Sequence, residues 1–323
     1  MRLLRRLSAD WRNRASRNDI RTYMSKCLVV GGAGFIGSNL GDALIEHGHE
    51  VTVIDNLLTG KKENINAKAK FIEADIRNLE VIKPVFAGMD YVFHLAAMPR
   101  IQLSIDDPIT SNDINLNGTL NVLVAARDAK VKKFIYSASS SAYGRQLILP
   151  WVETMAPDPI SPYGLQKYVG EVYAKIFYEI YGLPTVRLRY FNIYGKRQPN
   201  EGAYCSVIST FLKQKQEGKA LTIVGDGEQT RDFTSVIDAV RANIMAAESQ
   251  TVGHGELINI GRGQPYSVNQ VADMIGGSRT NIAPRFEVSG SYADNNLAKE
   301  LLGWEPTVDL AEWITEYKKE VGL

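Results

Sequence analysis

The chain has 323 residues, enough for one large α/β domain and a smaller one, and its 45% hydrophobic and 23% charged residues are those of a globular protein rather than a disordered or fibrous one. A formal net charge of +1 gives no overall attraction to nucleic acid or to an anionic membrane, so the expected partner is a small molecule. Two cysteines cannot build a disulfide framework, no apolar run predicts an integral membrane segment, and the four histidines lack ligand spacing, so the sequence reads as a cytoplasmic protein with no metal.

Residues 1–23 form a basic N-terminal extension with seven arginines against two aspartates. Leu3, Leu4, Leu7 and Trp11 share one helical face, which suits a loosely attached helix or one resting on an anionic surface. From Met24 onward strand and helix patterns alternate, with strands expected at 26–31, 51–55, 70–74, 91–95, 133–138 and 184–190. That alternation predicts an α/β fold, a Rossmann-type doubly wound parallel sheet, with ligands gathered at the carboxyl ends of the strands. A dinucleotide-binding domain over 24–190 is then followed by loops, isolated strands and short helices over 191–323, which predict a smaller C-terminal substrate-binding domain. Within that half, 233–262 is expected to return to the large domain.

The first strand runs into the turn GGAGFIG, where Gly31, Gly34 and Gly37 open a helix continued by Phe35, Ile36, Leu40 and Leu44. Glycines at this spacing permit a tight strand exit, close approach of backbone to a pyrophosphate, and close packing of helix on sheet. The next strand ends at Asp55, whose carboxylate suits a ribose 2′-hydroxyl and repels a 2′-phosphate, so NAD is expected over NADP. Later strand ends carry Asp75, then Leu95, Ala96 and Ala97, then Ser139.

Ser161 and Pro162 read as the N-cap and first residue of a long amphipathic helix, which puts Tyr163 and Lys167 one turn apart on one face. An ammonium beside a phenol favours its ionised form, making Tyr163 a candidate general base and Ser139 a candidate donor to the same substrate oxygen. The apolar stripe Val169, Val172, Tyr173, Ile176 and Ile180 on this helix, with a second helix near 112–129, faces either the sheet or a second subunit.

Together GGAGFIG, Asp55, HLAA, NLNGT, YSASSSAYG, Tyr163 with Lys167, RYFNIYG and RDF resemble the extended short-chain dehydrogenase/reductase family of sugar-nucleotide epimerases and dehydratases over about residues 24–323. Within it, SASSSAYG, GAYCSVI and GDGEQTRDF look most like UDP-N-acetylglucosamine and UDP-galactose 4-epimerases. The resemblance implies that Tyr163, Lys167 and Ser139 are catalytic. It also implies that Asn56, Ile76, Asn115 and Tyr190 join the cofactor contacts, and that Ser140, Ser141, Asn192, Ala203, Tyr204, Arg231, Arg285 and Ser291 hold a UDP-sugar. A small Ser291 beside carbon 2 of the sugar implies room for an N-acetyl group, with Tyr292 pointing the other way. Relatives pair their catalytic helices in a four-helix bundle, so a homodimer is expected. Dehydratases place Asp and Glu after the strand-end hydroxyl, where this chain has Ser140 and Ser141. The competing readings are a UDP-glucuronate 4-epimerase or another nucleotide-sugar dehydratase or decarboxylase of the same family, and a non-catalytic dinucleotide-binding sensor or assembly subunit.

Overall fold

The computed structural model describes residues 24–99, 101–199, 205–284 and 288–323. The basic extension, Ala203, Tyr204 and Arg285 lie outside the described residues.

Seven parallel strands make the central sheet: β1 (Lys26–Val30), β2 (Glu50–Asp55), β3 (Lys70–Glu73), β4 (Tyr91–His94), β5 (Lys133–Ser139), β6 (Thr185–Tyr190) and β7 (His254–Ile260). Their order is β7-β6-β5-β4-β1-β2-β3, each neighbour pair in parallel register. Strands such as CLVV and FIYSA are buried on both faces, so their apolar runs are nearly continuous rather than alternating. On one face Leu40, Leu44, Val240 and Ile244 from helices Phe35–Glu46 and Val236–Glu248 pack on Val29, Val53, Leu188 and Ile258. On the other, Leu123, Ala174 and Phe177 from helices Thr119–Ala129 and Pro162–Tyr181 pack on Leu28, Phe134 and Tyr136. Each fully buried Leu, Ile or Phe contributes roughly 1.5–3 kcal/mol, so these two layers carry most of the stability. Cys27 belongs to the first layer, and burial pushes its thiol up to about 12, which leaves it a small inert hydrophobe.

Helix Val236–Glu248 and β7 come from the second half of the chain and complete the sheet beyond β6. The order reverses between β1 and β4, and in open α/β sheets that switch point is where ligands sit. The smaller domain packs helices Val207–Gln216, Val268–Ile275 and Leu310–Glu320 around Phe211, Ile223, Val271 and Ile314. Lys215 and Lys318 both donate to the Ile275 carbonyl, satisfying the C-terminus of the middle helix and its negative dipole end. A small sheet of Pro265–Ser267, Thr230–Asp232 and Gly290–Ser291 lines the junction, where Tyr143, Trp151 and Phe191 cluster with Ala293.

One helix departs from expectation. The segment near 112–129 is not uniform: Asp113–Gly118 is π-helical before the α-helix Thr119–Ala129 begins. A Cβ on Gly118 would lie 2.6 Å from Ile76 Cδ1, so close packing holds the widened turn in place. The turn directs Asn115 inward, where its side chain bonds the Met98 backbone and Gln166.

Candidate active site

A cavity of about 1550 Å³ runs along the carboxyl ends of the strands and under the smaller domain. A pocket for one small ligand measures roughly 300–1,000 Å³, so this space suits two ligands. Its walls bring together Gly31, Gly34, Phe35, Ile36, Gly37, Asp55, Asn56, Asp75, Ile76, Leu95, Ala96 and Ala97 at one end. Ser139, Ser140, Ser141, Tyr163, Lys167 and Tyr190 lie along it with Asn192, Arg231 and Ser291.

The glycine turn is built for a close visitor. Gly31 has φ +87°, and a Cβ there would meet Ala96 N at 2.5 Å, so β1 and the loop after β4 touch through this residue. A Cβ on Gly37 would lie 2.2 Å from Gly31 O, which is what seats the helix against the turn. Gly34 differs: its Cβ would meet only Gly31 O, at 3.3 Å, so the space it leaves opens to the cavity. Gly34 is also the N-cap and makes no side-chain bond, leaving the first N–H groups of Phe35–Glu46 to an anion. Asp55 Oδ2 accepts from Ala33 N at 2.9 Å and Oδ1 from Leu57 N at 2.8 Å. Burial pushes this carboxyl up while those two N–H groups hold it down. Asp75 is held down at about 2, chiefly by its hydrogen bond to Arg77. An uncapped helix end, an open glycine cradle and an acceptor at the second strand end together fit a dinucleotide with a free 2′-hydroxyl.

In the middle of the cavity, Ser161 accepts from Gly164 N at 3.1 Å and Pro162 occupies the first turn, fixing the start of the long helix. Tyr163 and Lys167 follow on its cavity face. Lys167 Nζ donates to Ser137 O at 2.8 Å and lies 5.1 Å from the Tyr136 ring centroid. Burial lowers Lys167 to about 8, partly opposed by Glu171. Ser139 Oγ accepts from Ser141 N and donates to Ser141 Oγ, each at 3.2 Å, which orients the strand-end hydroxyl beside the phenol helix.

The far wall is assembled from distant segments. Ser291 is 4% exposed and pairs with Arg231 across the small sheet. Asp232 holds this wall: its carboxylate accepts from Arg262 N at 2.8 Å, Gly263 N at 2.9 Å and Ala293 N at 3.1 Å. Asn192, at φ +31°, donates to Asp232 O at 3.0 Å.

Asn115 sits deeper than the other cofactor candidates. It is 2% exposed and bonded to Met98 N at 2.7 Å through Oδ1, just after the strand-end residues Leu95, Ala96 and Ala97. Sequence reasoning passed over Lys61, Asn64, Trp151 and Arg197, which line the cavity. Arg197 had a signal, following RYFNIYG by two residues; its φ is +67° and Nη1 lies 2.8 Å from Asp42 on the glycine-turn helix. The histidines are also less scattered in space than along the chain: ligand atoms of His47, His49 and Glu248 fall within 4.8 Å of one another. His49 Nδ1 accepts from Ser25 N at 3.3 Å, and its Nε2 lies 3.4 Å from Glu248 Oε1.

The NAD dependent epimerase/dehydratase family matches residues 27–261. A UDP-glucose 4-epimerase of Mycolicibacterium smegmatis is 35% identical over 310 residues, covering 90% of this chain and 96% of the relative. The structure of a Thermotoga maritima UDP-glucose 4-epimerase with UDP-glucose has a TM-score of 0.87 and 40% identity, covering 92% of this chain and all of that one. A UDP-N-acetylglucosamine 4-epimerase of Methanobrevibacter ruminantium M1, in complex with UDP-N-acetylmuramic acid, has a TM-score of 0.87 and 35% identity, covering 92% and 97%.

Proposed function

The chain belongs to the NAD dependent epimerase/dehydratase family, and we propose that it inverts carbon 4 of a UDP-hexose, interconverting UDP-N-acetylglucosamine and UDP-N-acetylgalactosamine, with the plain hexoses as secondary substrates. The NAD of this family supplies a reversible hydride acceptor beside the sugar. Tyr163 takes the proton of the 4-hydroxyl and Ser139 donates to the same oxygen, so that a 4-keto sugar forms. Lys167 keeps a positive charge beside the phenol, favouring the ionised form that acts as base. The ketone turns within the cavity, and Tyr163 returns the proton after the other face is reduced. Asn192 and Arg231 hold the UDP diphosphate.

The observation that carries the choice of sugar is Ser291, small, buried and on the cavity wall beside Arg231. A hydroxymethyl side chain leaves space next to carbon 2 that a tyrosine would fill. Ser140 and Ser141 offer hydroxyls where a dehydratase needs an acid and a base, which favours epimerisation over loss of water. A panel of UDP-hexoses, analysed by chromatography for epimers, tests the reading. The acetylated pair should interconvert in the wild type and fail in Ser291→Tyr while the plain pair survives. Turnover of UDP-glucuronate alone, or undiminished acetylated turnover in Ser291→Tyr, would overturn it.

We also propose a homodimer. Val169, Val172, Tyr173 and Ile176 are half-buried and Ile180 is exposed, whereas the sheet-facing side of the same helix is Gly170, Ala174 and Phe177. Leu165 at 51%, Ile180 at 69% and Ile109 at 82% exposure add apolar surface around it.

A further inference from the structure

Tyr163, Lys167 and Glu171 are spaced four apart on the long helix, so they stack along one face. The first two line the cavity and the third lies beneath it, 1% exposed. Glu171 is gripped from the sheet: Arg189 Nε donates to Oε1 at 2.8 Å and Nη2 to Oε2 at 2.6 Å, a two-pronged pair with both side chains 1% exposed. Arg189 lies on β6 directly across from Ala138, one residue before Ser139, and its guanidinium carbon sits 4.3 Å from the Tyr143 ring centroid. Its remaining Nη1 is buried, and among the described residues it meets no acceptor in good hydrogen-bond geometry, while the Tyr143 side chain interacts with the guanidinium. A buried pair of this kind adds little net stability over apolar residues of the same volume. Stability alone therefore does not account for the pair.

We propose that Glu171, fixed by Arg189, is a positioning residue that keeps a negative charge under Lys167 and so holds its ammonium protonated within the desolvated cavity, deepening the 4-epimerase reading above. The groups around Lys167 leave Glu171 in that role. From β4, His94 is fully buried and lowered to about 3, hence neutral. From β5, Tyr136 is raised by burial, and from β6, Tyr190 is raised by burial to about 12, so both are neutral phenols. Arg187 and Arg189, also on β6, are cations, and Arg187 Nη1 donates to the Glu171 carbonyl at 3.4 Å. From the helix itself come Tyr163, the base, and Glu171. Burial pushes the Glu171 carboxyl up, and the Arg189 fork with the neighbouring cations pulls it back toward the ionised form. Geometry adds a second effect, because the fork ties the Tyr163 and Lys167 helix to the strand beside Ser139 and so sets the spacing of all three groups.

The test follows the Lys167 ammonium directly by nitrogen-15 NMR of lysine side chains in the NAD-loaded protein, its signal identified by its loss in Lys167→Met. In Glu171→Gln the signal should disappear at a pH lower by about 1 than in the wild type, and the alkaline limb of kcat/KM should move with it. The double variant Glu171→Gln, Arg189→Met buries no orphan charge and serves if the single variant fails to fold; because it removes a cation along with the anion, its displacement should have the same sign and be smaller. An ammonium that titrates as in the wild type in either folded variant overturns the proposal, even if stability falls. Displaced titration in a protein that epimerises none of the UDP-hexoses would instead refute the activity and leave the electrostatic role standing.

Discussion

Lys167 decides the behaviour of the site with pH. Its ammonium is lowered to about 8 in the fold, so the charge beside Tyr163 is complete below that pH and is lost above it. kcat/KM is therefore expected to fall as pH rises through about 8, measured with saturating NAD. Stability runs the other way, because a lysine whose folded value lies below its ordinary 10.5 penalises the fold while charged; the penalty is full below about 8 and fades as pH rises toward 10.5. Opposite trends of activity and thermal midpoint over that window check both signs at once. Tyr163→Phe should keep fold and cofactor yet lose roughly three orders of magnitude in turnover, within the range for removal of a general base, and near-normal turnover would refute its role. The phenol, the lysine and the glycines were readable in the sequence because each occupies a spacing with a mechanical meaning. The hydrogen bonds of Asn115 to Met98 and Gln166 were not, because they depend on a π-helical turn that local periodicity does not encode.

Elements succeed or fail by what they pack against. The helix Phe35–Glu46 can start only where Gly37 clears Gly31 O, so Gly37→Ala, with its Cβ 2.2 Å from that oxygen, should displace the helix start. Overpacking costs typically about 1–3 kcal/mol, and the purified variant should also carry less nucleotide, seen in the ratio of absorbance at 260 to 280 nm. An unchanged ratio would show that the turn tolerates the methyl group. Asp232→Asn removes one acceptor from a carboxylate that binds three backbone N–H groups, loosening the segment that carries Ser291 and the loop at Arg262. The expected result is a raised KM for the UDP-sugar with NAD binding intact, since Asp232 touches the substrate wall and not the glycine turn. The DGEQTRDF stretch signalled a functional loop, but the pairing of residues 230 and 231 with 290 and 291 joins segments about sixty positions apart, beyond the reach of local pattern.

At the scale of the whole molecule, the parallel sheet was legible because six apolar strands alternate with helical patterns at βαβ spacing, and the switch point then located the cavity. The smaller domain was legible only as irregular chain, because its core draws Phe211, Val271 and Ile314 from three separate helices with little strand period between them. The half-exposed stripe on the long helix predicts a dimer near 72 kDa, twice the 35.8 kDa chain, by light scattering at micromolar concentration; a mass of one chain would contradict it. Inversion of carbon 4 by a bound hydride acceptor has hydrogen leave that carbon and return to it within the cavity without meeting solvent. UDP-N-acetylglucosamine labelled with deuterium at carbon 4 decides the matter: the UDP-N-acetylgalactosamine formed should retain the label at carbon 4, whereas label lost to water, or no epimer formed, would refute hydride return to that carbon.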